Sequence, residues 1–357
     1  MRRRAASAFL AVLTTIALSP APSAAGAEQA TAALPRVRLI ATGGTISNAG
    51  FGRLSAAQLV DSVPGLERHV RAESEQFSNV PSTALSLDQW LELARHINVV
   101  LSEDLQLAGV VVTGGTDTLE ELAYFLNLTI RSERPVVLVG SMRPPSNPGY
   151  DGTANLLSGF RVAADAQSRG RGVLVVLNDE IHAAREVVKT EATGAHAFRS
   201  RGYGRLGLVG PDRVVYGRQP EKRHTLRSEF DVARIAGLPQ VEIVLVYQAA
   251  TGQIIRALAD SGIRGIVVGA AGAGATSPSQ QDALAYARRK GVFVVLTTRT
   301  GGGRVVPQPD ATAGGGDHAR RQIDGEDLAP VKARILLMLA LALTSSPAEI
   351  QRMFKEY

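Results

Sequence analysis

Cysteine is absent from all 357 positions, which excludes a disulfide framework, a thiolate metal site and a cysteine nucleophile. Histidine is sparse: the six copies, among them His182, His196 and His318, show no metal-ligand spacing such as His-Glu-x-x-His and are expected to be solvated or structural. No Gly-Lys-Ser/Thr phosphate loop occurs. Gly269–Ser277 approximates a dinucleotide pattern, but serine stands where its third glycine belongs, so a nucleotide role is set aside. Aromatic residues are few, and none interrupts the basic cluster Arg218-Gln219-Pro220-Glu221-Lys222-Arg223-His224 to stack on bases, while an acid does interrupt it. That cluster reads as a solvated linker, and no nucleic-acid partner is expected. Beyond the first twenty residues no apolar run is long enough to hold a membrane.

With 45% hydrophobic and 20% charged residues, the chain has the balance of a globular protein. Met1-Arg2-Arg3-Arg4, an apolar run from Ala5 to about Leu18 and small residues ending Ala25-Gly26-Ala27 form a signal peptide over residues 1–27, with cleavage before Glu28. The expected destination is the periplasm or the medium, with no membrane attachment after cleavage. Loss of the three arginines leaves 36 basic against 33 acidic residues, a balance of +3 that says little about acidic partners.

From Leu34 onward short β-branched runs alternate with longer amphipathic ones, the pattern of an α/β protein with a largely parallel sheet. Strands are predicted at Val37–Ala41, Leu107–Val112, Pro135–Val139 and Gly172–Leu177. Helices are predicted near Ser55–Val63, Leu87–Val99, Thr118–Leu128 and Gly152–Ala166. Ser86-Leu87-Asp88-Gln89 and Thr118-Leu119-Glu120-Glu121 both read as capping boxes. Periodicity fades over 217–239 and resumes with strands at Val241–Val246, Gly265–Val268 and Val292–Leu296 and helices near Gln280–Lys290, Pro330–Leu343 and Pro347–Phe354. The expectation is a two-domain chain: a larger N-terminal domain (34–216) with a mostly parallel sheet flanked by helices, a linker (217–239) and a smaller C-terminal α/β domain (240–357). The Gly- and Pro-rich stretch 301–316 reads as a mobile loop.

Two strands end in Gly-Gly-Thr. The first runs into Ala41-Thr42-Gly43-Gly44-Thr45-Ile46, where paired glycines let the backbone turn sharply and present the Thr45 hydroxyl. The second runs into Thr113-Gly114-Gly115-Thr116-Asp117-Thr118, delivering a hydroxyl and a carboxylate to the same sheet edge. Each turn alone is explicable as local hydrogen bonding or helix capping; two of them after buried strands point to a shared site.

These segments, with Val139-Gly140-Ser141-Met142-Arg143-Pro144, Asp151-Gly152, Asn155, Gly172–Asp179 and Arg185-Glu186-Val187-Val188-Lys189-Thr190, resemble the bacterial L-asparaginases, specifically the exported type II group, over about Leu34–Tyr357. The resemblance implies an amidohydrolase that converts L-asparagine to L-aspartate and ammonia with no metal or organic cofactor. Thr45 matches the threonine that attacks the side-chain carbonyl to form an acyl-enzyme. Thr116, Asp117 and Lys189 match a second catalytic group, in which lysine relays a proton, a role open only to its neutral form. Asp117 is also implied to pair with the substrate α-ammonium. Ser82, with Thr83 beside it, aligns with the serine that holds the α-carboxylate, although Pro81, Thr83 and Ala84 differ from the usual neighbours. Ser141 falls where a backbone carbonyl lies near the leaving amide. The family further implies a homotetramer, a dimer of dimers, with sites completed across an interface.

Three departures stand out. The loop after Thr45 is short and lacks the usual tyrosine, with only Phe51 near; Gly114 replaces a histidine; and Gly272-Ala273-Gly274-Ala275 replaces polar residues of the second domain. Weaker substrate binding and little glutaminase activity are therefore expected, at about 1–3 kcal/mol for each lost charged contact. The competing readings are an exported amino-acid-binding module with decayed chemistry, and an amidohydrolase directed at glutamine or another asparagine-like amide.

Overall fold

The computed structural model describes residues 33–50, 52–306 and 321–357. The signal-peptide segment, Phe51 and positions 307–320, which include the end of the Gly- and Pro-rich stretch, lie outside them. Among the described residues no helix is long and apolar enough to cross a membrane.

The larger sheet takes its strands in chain order from β1 (Arg36–Gly43), β2 (Arg71–Val80), β3 (Leu107–Thr113), β4 (Val136–Val139), β5 (Val173–Leu177), β6 (Glu180–Ala183), β7 (Gly207–Val209) and β8 (Val214–Tyr216). Across the sheet they lie β8-β7-β6-β5-β4-β3-β1-β2. The five strands from β5 to β2 are parallel, and the last three join antiparallel. The smaller sheet is wholly parallel: β9 (Val241–Leu245), β10 (Gly265–Ala270), β11 (Phe293–Thr298) and β12 (Gln322–Asp324), in that order.

Alternate residues of the parallel strands feed opposite faces, as the pleat requires. Val111, Val137 and Val139 pack with α1 (Ala56–Asp61) and α4 (Gly152–Ala164) on one face. Val110, Val112 and Leu138 pack on the other with α2 (Leu87–Glu103) and α3 (Leu119–Thr129). In the smaller lobe α5 (Gln253–Asp260) and α6 (Pro278–Arg289) cover one face. Its other face meets α7 (Pro330–Leu343) and α8 (Pro347–Glu356), which share the core of α2 and α3. Helix α7 is therefore apolar nearly all round, with every residue from Ile335 to Leu341 buried, because protein surrounds it.

The structure corrects several expectations. Strand β2 was not foreseen, because it is a polar strand at the sheet edge: Glu73 takes both Arg36 (2.8 Å) and Arg38 (2.8 Å) of the neighbouring β1. Helix α5 and the short antiparallel strands after β5 were also missed: the strands are too brief for a clear periodicity, and α5, though amphipathic with Ile255 and Ala259 inward, has only eight residues and no side-chain cap. Ser86 forms its capping box, accepting from Gln89 N at 3.2 Å, whereas Thr118 caps nothing with its side chain. Glu121, the acid that would close that box, is not bonded to the cap, and Glu120 in the same first turn is committed elsewhere, as described below. The basic cluster is not a solvated linker. Arg218 pairs with Glu186, Arg223 with Glu356 at 2.5 Å, and His224 is buried. Phe230, Val232 and Ile235, further along the same stretch, belong to the main core.

Candidate active site

Strands β1 and β3 are neighbours with Ala41 opposite Thr113, and the Thr42 hydroxyl donates to the Thr113 carbonyl at 2.6 Å. Thr45 and Thr116 each follow three residues beyond these bonded threonines, so the register alone brings the two turns to one edge. Gly44 has φ of 90°, and a Cβ there would overlap the Gly115 backbone, so the turns touch and only glycine fits both the angle and the gap. The Gly44 N–H donates to the Val80 carbonyl at the end of β2, at 3.0 Å. Thr45 then opens a three-residue 3₁₀ turn and is half-buried.

Lys189 arrives from a different direction. It ends the strand Val187–Lys189, which pairs antiparallel with Phe198–Ser200 in a ribbon outside the main sheet. Its Nζ donates to Thr116 Oγ1 at 3.1 Å and to Asp117 Oδ1 at 2.6 Å. Thr116 is 4% exposed, whereas the Asp117 side chain is 70% exposed, so the carboxylate keeps a face open to solvent. Hydroxyl, amine and carboxylate thus form a chain along which a proton can move.

Behind this chain stands a second one that the sequence reading did not name. The Lys189 N–H donates to Glu120 Oε1 at 3.1 Å. Glu120 Oε2, buried and without a hydrogen bond, lies 3.9 Å from Lys332 Nζ. Lys332, on α7, is fully buried and donates to the carbonyls of Ala184 (2.9 Å), Arg185 (3.0 Å) and Val187. Burial pushes its amine down to about 8, and the nearby Glu120 works against that shift. The only sequence signal was a lysine in the first turn of a helix that is apolar from Ile335 to Leu343.

Ser82 opens a 3₁₀ turn just after β2 and leans over the second Gly-Gly turn: a Cβ on Gly115 would stand 2.7 Å from its hydroxyl. Trp90, 5% exposed, packs beneath. Thr83 on the same turn is exposed. Ser141 is fully buried and donates to the Arg143 carbonyl at 2.7 Å, so its hydroxyl serves its own loop. The backbone at Gly140 is what borders Thr116; a Cβ there would lie 3.1 Å from Thr116 Cγ2. Asp151 accepts from Met142 N and Arg143 N, both at 3.0 Å, and Asn155 donates to the Gly140 carbonyl at 2.9 Å, fixing that loop. The structure therefore bonds Thr116, Asp117 and Lys189 together and sets Thr45 and Ser82 on adjoining turns. The Ser141 hydroxyl is spent on its own loop, and Thr83 stands exposed on the Ser82 turn. Among the described residues no cluster of acids and histidines is arranged to hold a metal ion.

Comparison with known proteins follows the same lines. The family described as "Asparaginase, N-terminal" matches residues 36–222, and "Glutaminase/Asparaginase C-terminal domain" matches residues 240–354. "L-asparaginase 2" of Bacillus subtilis is 40% identical, over 91% of this chain and 87% of its own length. "L-asparaginase 2" of Escherichia coli is 38% identical over 93% and 96%. A "Glutaminase-asparaginase" of Pseudomonas fluorescens is 36% identical over 97% of both chains. A crystal structure of a probable cytoplasmic L-asparaginase from Campylobacter jejuni superposes with a TM-score of 0.83 at 38% identity, covering 91% of this chain and all of that one.

Proposed function

From the premise that this chain belongs to the asparaginase family and is an amidohydrolase that hydrolyses L-asparagine, we propose that it works through Thr45 as nucleophile and an acyl-enzyme. The observation that carries the proposal is the bonding of Lys189 to both Thr116 and Asp117 beside the Gly44–Thr45 turn. In the first half-reaction Thr45 Oγ forms an ester with the side-chain carbonyl carbon, the C–N bond breaks, and the amide nitrogen leaves as ammonia with the hydroxyl proton. In the second, a water molecule gives its proton through Thr116 to the amine of Lys189. The resulting hydroxide displaces Thr45, which recovers a proton, and aspartate leaves.

Asp117 holds the substrate α-ammonium with its exposed face and Ser82 holds the α-carboxylate, two contacts that set the amide against Thr45. No cofactor enters any step. The Ala271–Ala275 turn of the smaller lobe is closed on itself by backbone bonds of 3.0 and 2.9 Å and offers only methyl groups and hydrogens, which supports low activity on the longer glutamine. Export fits the relative named "Probable L-asparaginase periplasmic" from Haemophilus influenzae, and assembly as a tetramer is the arrangement we expect.

Ammonia release from asparagine tests the reading. Thr45→Ala should lower it by at least 10³-fold, and hydroxylamine should divert the parent enzyme to β-aspartyl hydroxamate. An alanine variant with parental turnover excludes the mechanism. Turnover of glutamine equal to that of asparagine excludes the stated specificity.

A further inference from the structure

We infer that Arg53 and Tyr150 are positioning residues for Thr45, holding the carbonyls of its two neighbours, Gly44 and Ile46. This rests on Thr45 being the nucleophile. A three-residue turn is too short to steady itself, so the direction of the Thr45 hydroxyl depends on what grips the carbonyls of its neighbours. The Gly44 carbonyl accepts from Ser47 N at 3.2 Å, from the Ser47 hydroxyl at 3.1 Å and from Arg53 Nη1 at 3.2 Å. The Ile46 carbonyl accepts from the Tyr150 hydroxyl at 2.9 Å.

The two side chains reach the turn by unrelated routes. Arg53 sits opposite Asn48 in a two-residue antiparallel ladder, so the shortened loop doubles back and lays its guanidinium on the turn. Tyr150 comes from the loop that Asp151 and Asn155 hold, and its ring presses on Gly152, where any Cβ would overlap it. Burial, aided by Asp151, keeps its phenol above the ordinary range, so it remains a hydrogen-bond donor. Both side chains are half-buried; Tyr150 packs its ring against the core, so a change that keeps the ring and removes only the hydroxyl leaves that packing in place. The sequence lacks a tyrosine in the loop after Thr45; here a tyrosine from elsewhere grips the backbone of the turn.

The test uses the full chain and steady-state ammonia release. Tyr150→Phe removes one hydroxyl, and Arg53→Met removes the guanidinium while keeping the stem. Each should lower kcat about tenfold while leaving KM within about threefold, because Ser82 and Asp117, which bind the α-groups, are untouched. The double variant should lose less than the product of the single losses, since both grip one turn, and Arg53→Lys should recover part of the loss. Single variants with parental kcat, or losses confined to KM or to thermal stability, overturn the inference while the parent's activity keeps the nucleophile reading. A parent that releases no ammonia removes both.

Discussion

Replacing Lys332 by methionine is expected to be among the most damaging single changes in the smaller lobe, although the residue lies far from solvent and touches no substrate. Methionine fills the same stem volume but withdraws the ammonium from the carbonyls of Ala184, Arg185 and Val187 and from the Glu120 carboxylate. Each buried acceptor left without a partner costs about 1–3 kcal/mol, and breaking a buried charge pair from one side typically costs about 3–5 kcal/mol in total after relaxation. At about 2–4 °C per kcal/mol for domains of this size, the midpoint of thermal unfolding should fall by roughly 10 °C. Differential scanning fluorimetry at one protein concentration and one scan rate measures this. Glu120→Gln keeps an oxygen for the Lys189 N–H while removing the countercharge, and the double variant should be less destabilised than the sum of the singles, by about 1–3 kcal/mol. A Lys332→Met protein melting within 2 °C of the parent would refute the reasoning, for it would mean that the ammonium does not sit in this cage.

Three further outcomes are expected. Gly115→Ala should raise KM for asparagine by about tenfold or more, because the new methyl collides with the Ser82 hydroxyl 2.7 Å away; unchanged KM would separate Ser82 from carboxylate binding. Asp117→Ala should raise KM and lower kcat together, since the carboxylate pairs with both substrate and Lys189; loss of kcat alone would assign it only to the relay. Burial pushes His182 and His224 down to about 4, so the folded chain keeps them neutral while the unfolded chain protonates them near 6.5. Their contribution to stability is complete above pH 6.5 and is lost as pH falls towards 4, with a ceiling of about 3 kcal/mol each. Urea midpoints at pH 7, 5.5 and 4.5 should fall in that order, and the fall should be shallower in His182→Gln; equal midpoints would contradict the burial argument.

The parallel strands were legible because β-branched runs buried on both faces leave little else to be, and the two Gly-Gly-Thr endings were legible because their residue types are unusual after a strand. Strand β2 was illegible because its pattern is set by pairing: Glu73 is there for Arg36 and Arg38, and such partners are far away in sequence. Thr118 looked like a helix cap because its local spacing to Glu121 is right, but its side chain makes no cap bond; nor does local spacing reveal that Glu120 beside it answers to Lys189, across 69 residues. The same holds for Lys332, whose partners lie some 145 residues earlier. Arg53 and Tyr150 belong to no motif, and only folding shows that both end on one turn.

The ribbon ending at Lys189 has its foundations in the other half of the molecule. A gene cut between the lobes would still encode both hydroxyl turns and the whole sheet that carries them, yet the amine would hang from an unmoored strand. The two lobes are thus inherited as one working unit, and drift in an interior helix of the lesser lobe is felt at the cleft without any change to the cleft itself.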